Sequence, residues 1–349
     1  MPGLLCVRTM RLILVGFGTV GRGVAESLLA SEPELSVAGA EPRVVAVVDP
    51  VVGSVRREGG LDLGTLLRLA DTGEPLATCP GAETVAGLKE VLEVAGGDVL
   101  VELTPTDLHT GEPGLGHVRA ALKAGLHVVT TNKGPIALAY HELRTTAHKA
   151  GLQLRFEGTV LSGTPVLNLC EAGLAGAGIR EIRGVVNGTC NFILTEMEGG
   201  TSYATALSKA QHLGYAEADP SGDVEGLDAA AKVLILANSV LDANLKLEDV
   251  NRTGISELTA EDIQTARMAG KTWRLIARIS QGENGWEAKV GPEEVNRADP
   301  EGSLTGPENL LIFDTEALGE VTITGPGAGR RATGHGVIAD LLAVHRNVS

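Results

Sequence analysis

"RLILVGFGTVGRGVAESLLA", residues 11–30, decides the fold. The apolar run "LILV" stops at Gly16, and helical spacing begins after Gly21. This is the pattern of a buried strand, a tight turn and a helix. In "GFGTVG" each glycine has a separate reason. Gly16 permits the turn, Gly18 lets a pyrophosphate approach the backbone, and Gly21 lets the helix pack on the strand. Phe17, Thr19 and Val20 complete a loop that presents the helix N-terminus, with its unpaired N–H groups, to anionic phosphate. The segment is therefore read as a dinucleotide-binding loop, against the alternative of a merely structural turn.

Further apolar strands follow at the spacing of a parallel sheet. "RVVAVVDP" (43–50) ends in Asp49, "DVLVELTPT" (98–106) is followed by a helix, and so is "LHVVTTNKGP" (126–135). Such alternation indicates a sheet covered on both faces, an α/β domain of Rossmann type. Asp49 is placed to accept from a ribose 2′-hydroxyl, which favours NAD; Arg56 and Arg57 are placed to hold a 2′-phosphate, which favours NADP. The choice stays open, and a solvated loop is the plain reading of the two arginines. Thr104 is either a cofactor contact or a helix N-cap. Lys133 lies at the carboxyl end of its strand, where ligands bind in open sheets. The first strand is expected to begin at Met10, leaving residues 1–9 as an extension or a misplaced start.

After about Gly151 the rhythm changes. "LQLRFEGTV", "IREIRGVVNGT", "KTWRLIARIS", "GWEAKV" and "GEVTITG" read as strands of a second sheet, interrupted by helices. The expected division is a dinucleotide-binding domain over 10–150, to which 325–349 returns, and an α+β domain with an open sheet over 151–324.

Composition narrows the function. A formal net charge of −15 over 349 residues disfavours nucleic acid and anionic membrane as partners. No apolar run approaches the ~20 residues of a membrane span. The four cysteines have no metal-finger spacing and read as reduced thiols of a cytoplasmic protein.

"GYAEADPSGDVEGLDAAAK" (214–232) carries the chemistry. A Ca²⁺ or Zn²⁺ loop is disfavoured, because the acids lack that spacing and no histidine pair lies nearby. Ser221, Gly222 and Asp219 read as a solvated turn. Asp228 and Lys232 share one face of a helix that is apolar on its other faces. Buried Asp and Lys occur chiefly when paired or functional, and burial suits a lysine to proton transfer. Glu217 and Asp228 are candidates to hold a substrate ammonium, with Lys232 acting at a hydroxyl or carbonyl. Together with the glycine loop, this points to hydride transfer on a small amino-acid-like molecule.

The segments "GFGTVG", "ELTPT", "TGEPG", "HVVTTNKGP", "VNGTCNFIL", "GYAEADPSGDVEGLDAAAK" and "GPGAG" resemble those of homoserine dehydrogenases, in order and spacing, from about residue 10 onward. The resemblance implies NAD- or NADP-dependent interconversion of L-homoserine and L-aspartate 4-semialdehyde in threonine, methionine and isoleucine synthesis. It implies Lys232 as proton donor, with Lys133 as a rival. Glu217, Asp228 and Asp223 would bind substrate, with "NGT" (187–189), Gly188 among them, nearby. Gly214, Gly327 and Thr104 would approach the cofactor. It further implies a Na⁺ or K⁺ ion held by the carbonyls of Glu157, Val160, Ser162 and Thr164, and a homodimer built through the second sheet. Thr131 and Cys190 depart mildly from the family pattern. No threonine-sensing regulatory domain is expected after "GPGAG". Another amino-acid dehydrogenase fits the acidic segment less well. A dinucleotide-sensing regulator would need a basic DNA-binding element, and none is visible in the sequence.

Overall fold

In the computed structural model, which describes residues 7–348, the apolar run before the glycine loop is β1 (Arg8–Val15). It begins at Arg8, not Met10, because Arg8 already pairs with Ala40 of β2 (Ala40–Val48). Residues 1–6 lie outside the described residues. The chain forms two units: one ends at Gly163 and resumes at Gly329, and the other is Thr164–Ala328.

The first unit holds a seven-stranded sheet of order β4-β3-β2-β1-β5-β6-β7. Its core strands β1, β2, β5 (Val99–Glu102) and β6 (His127–Thr130) are parallel. Short antiparallel strands β3 (Val55–Arg56) and β4 (Glu83–Thr84) extend one edge, and β7 (Leu154–Arg155) closes the other. The helices are α1 (Thr19–Ala30), α2 (Glu32–Val37), α3 (Leu63–Thr72), α4 (Leu88–Val94), α5 (Gly114–Lys123) and α6 (Lys133–Lys149). Side chains alternate across a strand, so each central strand feeds two cores. Leu12, Leu14, Val99 and Val101 pack with Val24 and Leu66, whereas Ile13, Val15 and Leu100 pack with Val118, Leu122 and Leu143. This two-sided burial explains why the strands read as unbroken apolar runs.

"LQLRFEGTV" corrects the sequence reading. Its strand, β7, belongs to the first sheet, with Val128 opposite Leu154. The strand–helix–strand connection through α6 returns the chain as a parallel neighbour of β6. Thr104 corrects another expectation: no helix opens there, because α5 starts only at Gly114, so Thr104 is not an N-cap.

The second unit begins with α7 (Val166–Asn168) and builds a six-stranded open sheet of order β13-β12-β8-β10-β11-β9. Its long strands are β8 (Ile179–Val185), β10 (Lys271–Gly282), β11 (Gly285–Asn296), β12 (Glu308–Thr315) and β13 (Gly319–Pro326), all antiparallel to their neighbours. The short β9 (Asn251–Arg252) adds a parallel edge. Between strands lie α8 (Gly188–Glu198), α9 (Tyr203–His212), α10 (Ser221–Val224), α11 (Leu227–Val240), α12 (Ala260–Met268) and α13 (Pro300–Ser303). α11 is buried from Ala229 through Asn238. The register sets Arg183 opposite Arg278, a repulsive pairing. It is offset by Glu181, which pairs with both, and by Glu301 and Glu320 at 2.8 Å from Arg183 and Glu293 at 2.9 Å from Arg278.

The chain then returns to the first unit as α14 (Arg330–Val348). Val337, Ile338, Leu341 and Val344 join the β1 core, and Arg330 pairs with Glu26 at 2.7 Å. The approach to α1 is close enough that a Cβ on Gly23 would overlap the Arg330 carbonyl. Among the described residues no helix is long and apolar enough to cross a membrane.

Candidate active site

In the first unit the glycine loop has the geometry of an anion cradle. Gly16 has φ +98°, and a Cβ there would lie 2.8 Å from the Leu103 carbonyl oxygen at the end of β5. A Cβ on Gly21 would strike the Gly16 carbonyl, so this glycine is needed for packing. Gly18 is different: nothing lies within 4 Å of its Cβ position. No side chain caps the first turn of α1, whose N–H groups remain open to a ligand. Gly18 and Thr19 are exposed, Val20 is half-buried and Phe17 is buried. These residues fit a dinucleotide pyrophosphate.

Asp49 directly follows β2, and its carboxylate bonds within the unit. One carboxylate oxygen accepts from Phe17 N at 2.7 Å; the other accepts from Val51 N at 2.8 Å and Val52 N at 3.0 Å. It pins the glycine loop to the turn after β2. Arg56 pairs with Glu83, and exposed Arg57 donates to the Pro80 carbonyl at 3.4 Å. Thr104 donates its backbone N–H, at 2.9 Å, and its hydroxyl to the Glu102 carboxylate. Lys133, half-buried, is the first residue of α6, and its N–H reaches Thr106 Oγ1 at 3.3 Å.

The second unit gathers the acidic segment around α11. Lys232 Nζ lies 2.7 Å from Asp228 Oδ2 and donates to the Val186 carbonyl at 2.7 Å. Its side chain is 9% exposed and that of Asp228 20%. Asn187, buried just after β8, links the two halves: Nδ2 donates to Asp223 at 2.8 Å and to Asp228 at 3.0 Å. Its Oδ1 accepts from Cys190 N at 2.9 Å and so caps α8. Burial, and next the Asp228 charge, raise the Asp223 carboxyl above its ordinary range. Buried Cys190 points its thiol at the Asp223 carbonyl at 3.2 Å, and burial pushes that thiol well up. An unreactive packing cysteine results. Chemically, the cluster offers two carboxylates to a cation and one ammonium proton to an oxygen.

The other candidate residues have surroundings of their own. Glu217 is exposed, and its backbone carbonyl accepts from Gln211 at 3.1 Å. Gly214 ends the turn after α9 with φ +77°. Gly188 and Gly327 both pack against Asn309: a Cβ on Gly188 would lie 3.2 Å from its Oδ1, and one on Gly327 would overlap the amide. Asn309 is fully buried, and neither polar atom of its side chain has a hydrogen-bond partner. Glu157, Val160, Ser162 and Thr164 are buried, and Ser162 adopts the left-handed φ of 57°. The Thr164 carbonyl already accepts from Val166 N at 2.8 Å. Among the described residues no group of three His, Cys, Asp or Glu side chains is placed to hold a metal.

The sequence reading reaches Asn187 only as part of "NGT", without its carboxylate partners, and leaves out Glu102 and Asn309. The available signals were a polar residue opening "NGT", a lone carboxylate in "VLVE" and a lone amide in "ENLLIF".

Comparison with known proteins agrees with this geometry. The family model for homoserine dehydrogenase matches residues 165–342, and that for the homoserine dehydrogenase NAD binding domain matches 16–157. An NAD(+)-dependent homoserine dehydrogenase of Pseudomonas canavaninivorans is 42% identical, with 97% of each chain covered. The crystal structure of a putative homoserine dehydrogenase from Archaeoglobus fulgidus superposes with TM-score 0.86 at 38% identity, covering 96% of this chain and 99% of that one. A hyperthermophilic archaeal homoserine dehydrogenase in complex with NADPH gives TM-score 0.82 at 30% identity, covering 97% and 98%.

Proposed function

This chain belongs to the homoserine dehydrogenase family, and from that premise we propose how its residues divide the reaction. The reaction interconverts L-homoserine and L-aspartate 4-semialdehyde with a nicotinamide dinucleotide, a step toward threonine, methionine and isoleucine. The bound dinucleotide supplies or accepts the hydride.

Lys232 donates a proton to the oxygen that becomes the homoserine hydroxyl, and so stabilises charge that develops in the transition state. The observation that supports this is a lysine ammonium held in a buried position by Asp228 and the Val186 carbonyl. Asp228 and Asp223 receive the substrate ammonium, with Glu217 joining from its exposed turn and Gly188 and Gly214 shaping the approach. Lys133 contributes positive potential. Gly16, Phe17, Gly18, Thr19, Val20 and Gly21 hold the pyrophosphate, and Thr104 and Gly327 meet the cofactor.

NAD is the favoured dinucleotide. Asp49 places a carboxylate at the end of β2, which repels a 2′-phosphate, and Arg57 is turned to Pro80. The NAD(+)-dependent Pseudomonas relative supports the same choice. A monovalent cation on the carbonyls of Glu157, Val160, Ser162 and Thr164 is supported by the burial of that irregular segment. A cytoplasmic homodimer formed through the second sheet completes the reading.

The deciding experiment is Lys232→Ala, followed by absorbance at 340 nm with L-homoserine and NAD⁺ or NADP⁺. Turnover should fall by about 10² or more while dinucleotide affinity stays within a few-fold. Near-normal turnover removes Lys232 from the role and leaves Lys133 as donor. A wild-type preference for NADP⁺ refutes the part given to Asp49.

A further inference from the structure

β1 and β5 are neighbours at the centre of the first sheet, where the strand order turns outward in both directions. This is the switch point of an open α/β sheet, whose carboxyl edge receives ligands. Glu102 ends β5 at that edge, in a strand that is otherwise Val, Leu and Val, with no exposed surface. A buried carboxylate is costly unless fully hydrogen-bonded. Here its bonds come from three separate segments. Oε1 accepts from Thr104 N at 2.9 Å, from the Thr104 hydroxyl and from Asn132 Nδ2 at 3.4 Å. Oε2 lies 2.8 Å from His117 Nδ1 on α5.

Asn132 in turn reaches the Pro105 carbonyl and the Thr104 hydroxyl, each at 3.3 Å. Its Oδ1 accepts from Gly134 N at 3.0 Å and caps α6, whose first residue is Lys133. One carboxylate therefore fastens the turn after β5 to the turn after β6. Each partner can act as a donor to it, which an anion satisfies and a neutral group matches less well.

We propose that Glu102 is a positioning residue, held by His117, that fixes the Thr104 and Lys133 turns against each other to receive the dinucleotide. The proposal rests on the reading that both turns meet the cofactor. Glu102→Leu removes every acceptor. In Glu102→Gln the carbonyl keeps the Thr104 and Asn132 bonds, and the new amide faces a His117 that can accept in its other tautomer. The glutamine variant therefore isolates the charge, and His117→Ala removes one half-exposed donor with least risk to folding.

Hydrogen exchange is followed over 103–106 and 131–134, NADH affinity by fluorescence, and KM separately for dinucleotide and L-homoserine. Glu102→Leu should speed exchange in both turns and weaken NADH by about ten-fold or more. It should raise the dinucleotide KM while leaving the homoserine KM within about two-fold. Glu102→Gln should be intermediate, and His117→Ala should shift the same readouts in the same direction by a smaller factor. Unchanged exchange in both turns for Glu102→Gln and His117→Ala overturns the positioning role, even where the leucine variant fails to fold. Faster exchange in both turns of Glu102→Leu with unaltered NADH affinity keeps the coupling but removes the cofactor reading of those turns.

Discussion

Replacing Asn187 tests the cluster of Asp223, Asp228 and Lys232 most directly. Its amide oxygen caps α8 through Cys190 N, and its amide nitrogen bridges Asp223 and Asp228. In Asn187→Ala the lost cap costs about 1 kcal/mol. Each lost bond to a carboxylate is worth about 1.5–3 kcal/mol when buried, and less here because the cluster is part-buried. A total near 3 kcal/mol follows, or roughly 6–12 °C in the melting of a unit of this size. The dependence on pH has a definite sign. Asp223 is already raised by burial and by Asp228, and loss of the amide raises it further. A raised carboxyl favours the folded state below its unfolded value, near 3.8, and that advantage is lost as pH rises through the folded value. The Asn187→Ala deficit should therefore be largest at neutral pH and shrink toward the cap term alone below about pH 4. Asn187→Asp keeps the cap but adds a third carboxylate, so at pH 7 it should melt below the alanine variant. Thermal melts of both from pH 4 to 8 decide the matter. A pH-independent loss of about 1 kcal/mol would mean that Asn187 only caps the helix.

Asp223→Asn should stabilise the second unit at neutral pH by removing a poorly solvated charge beside Asp228, by about 1 kcal/mol, while weakening homoserine binding. By the same sign argument the gain should vanish below about pH 4; a gain that persists there would show that ionisation is not its cause. Gly21→Ala drives a methyl group into the Gly16 carbonyl and should abolish dinucleotide binding while sparing the second unit. Calorimetric titration with NADH would refute this by returning wild-type affinity.

Legibility in the sequence followed the range of the physics. Leu12 to Val15 and Val99 to Val101 are buried on both faces, so their strands stood out as apolar runs. The two-residue strands β3, β4, β7 and β9 are too short to show a period, which is why "LQLRFEGTV" reads as part of the second sheet although β7 pairs with β6. Asp228 and Lys232 were visible together because one helical turn joins them. The link from Asn187 to Asp223 and Asp228 is not legible in the same way, because these partners lie 36 and 41 positions away. Glu102 shares that difficulty: Asn132 is 30 positions distant, and no local pattern marks an anion satisfied by remote donors. Thr104 reads equally as a cofactor contact or a cap, since hydroxyl residues favour helix starts, and its hydroxyl serves Glu102.

The second unit enters at Thr164 and leaves just beyond Pro326, and these two points touch. The Thr164 hydroxyl donates to the Pro326 carbonyl at 3.2 Å, and a Cβ on Gly325 would overlap that same hydroxyl. A module with adjoining ends is a guest that its host can release or accept across a short seam, since little closure entropy is at stake. The host keeps the glycine loop and Asp49, while the guest keeps Asn187, Asp223, Asp228 and Lys232. On the proposed division of roles, exchanging residues 164–328 between relatives should carry Asp223, Asp228 and Lys232 across together while the glycine loop and Asp49 stay with the recipient.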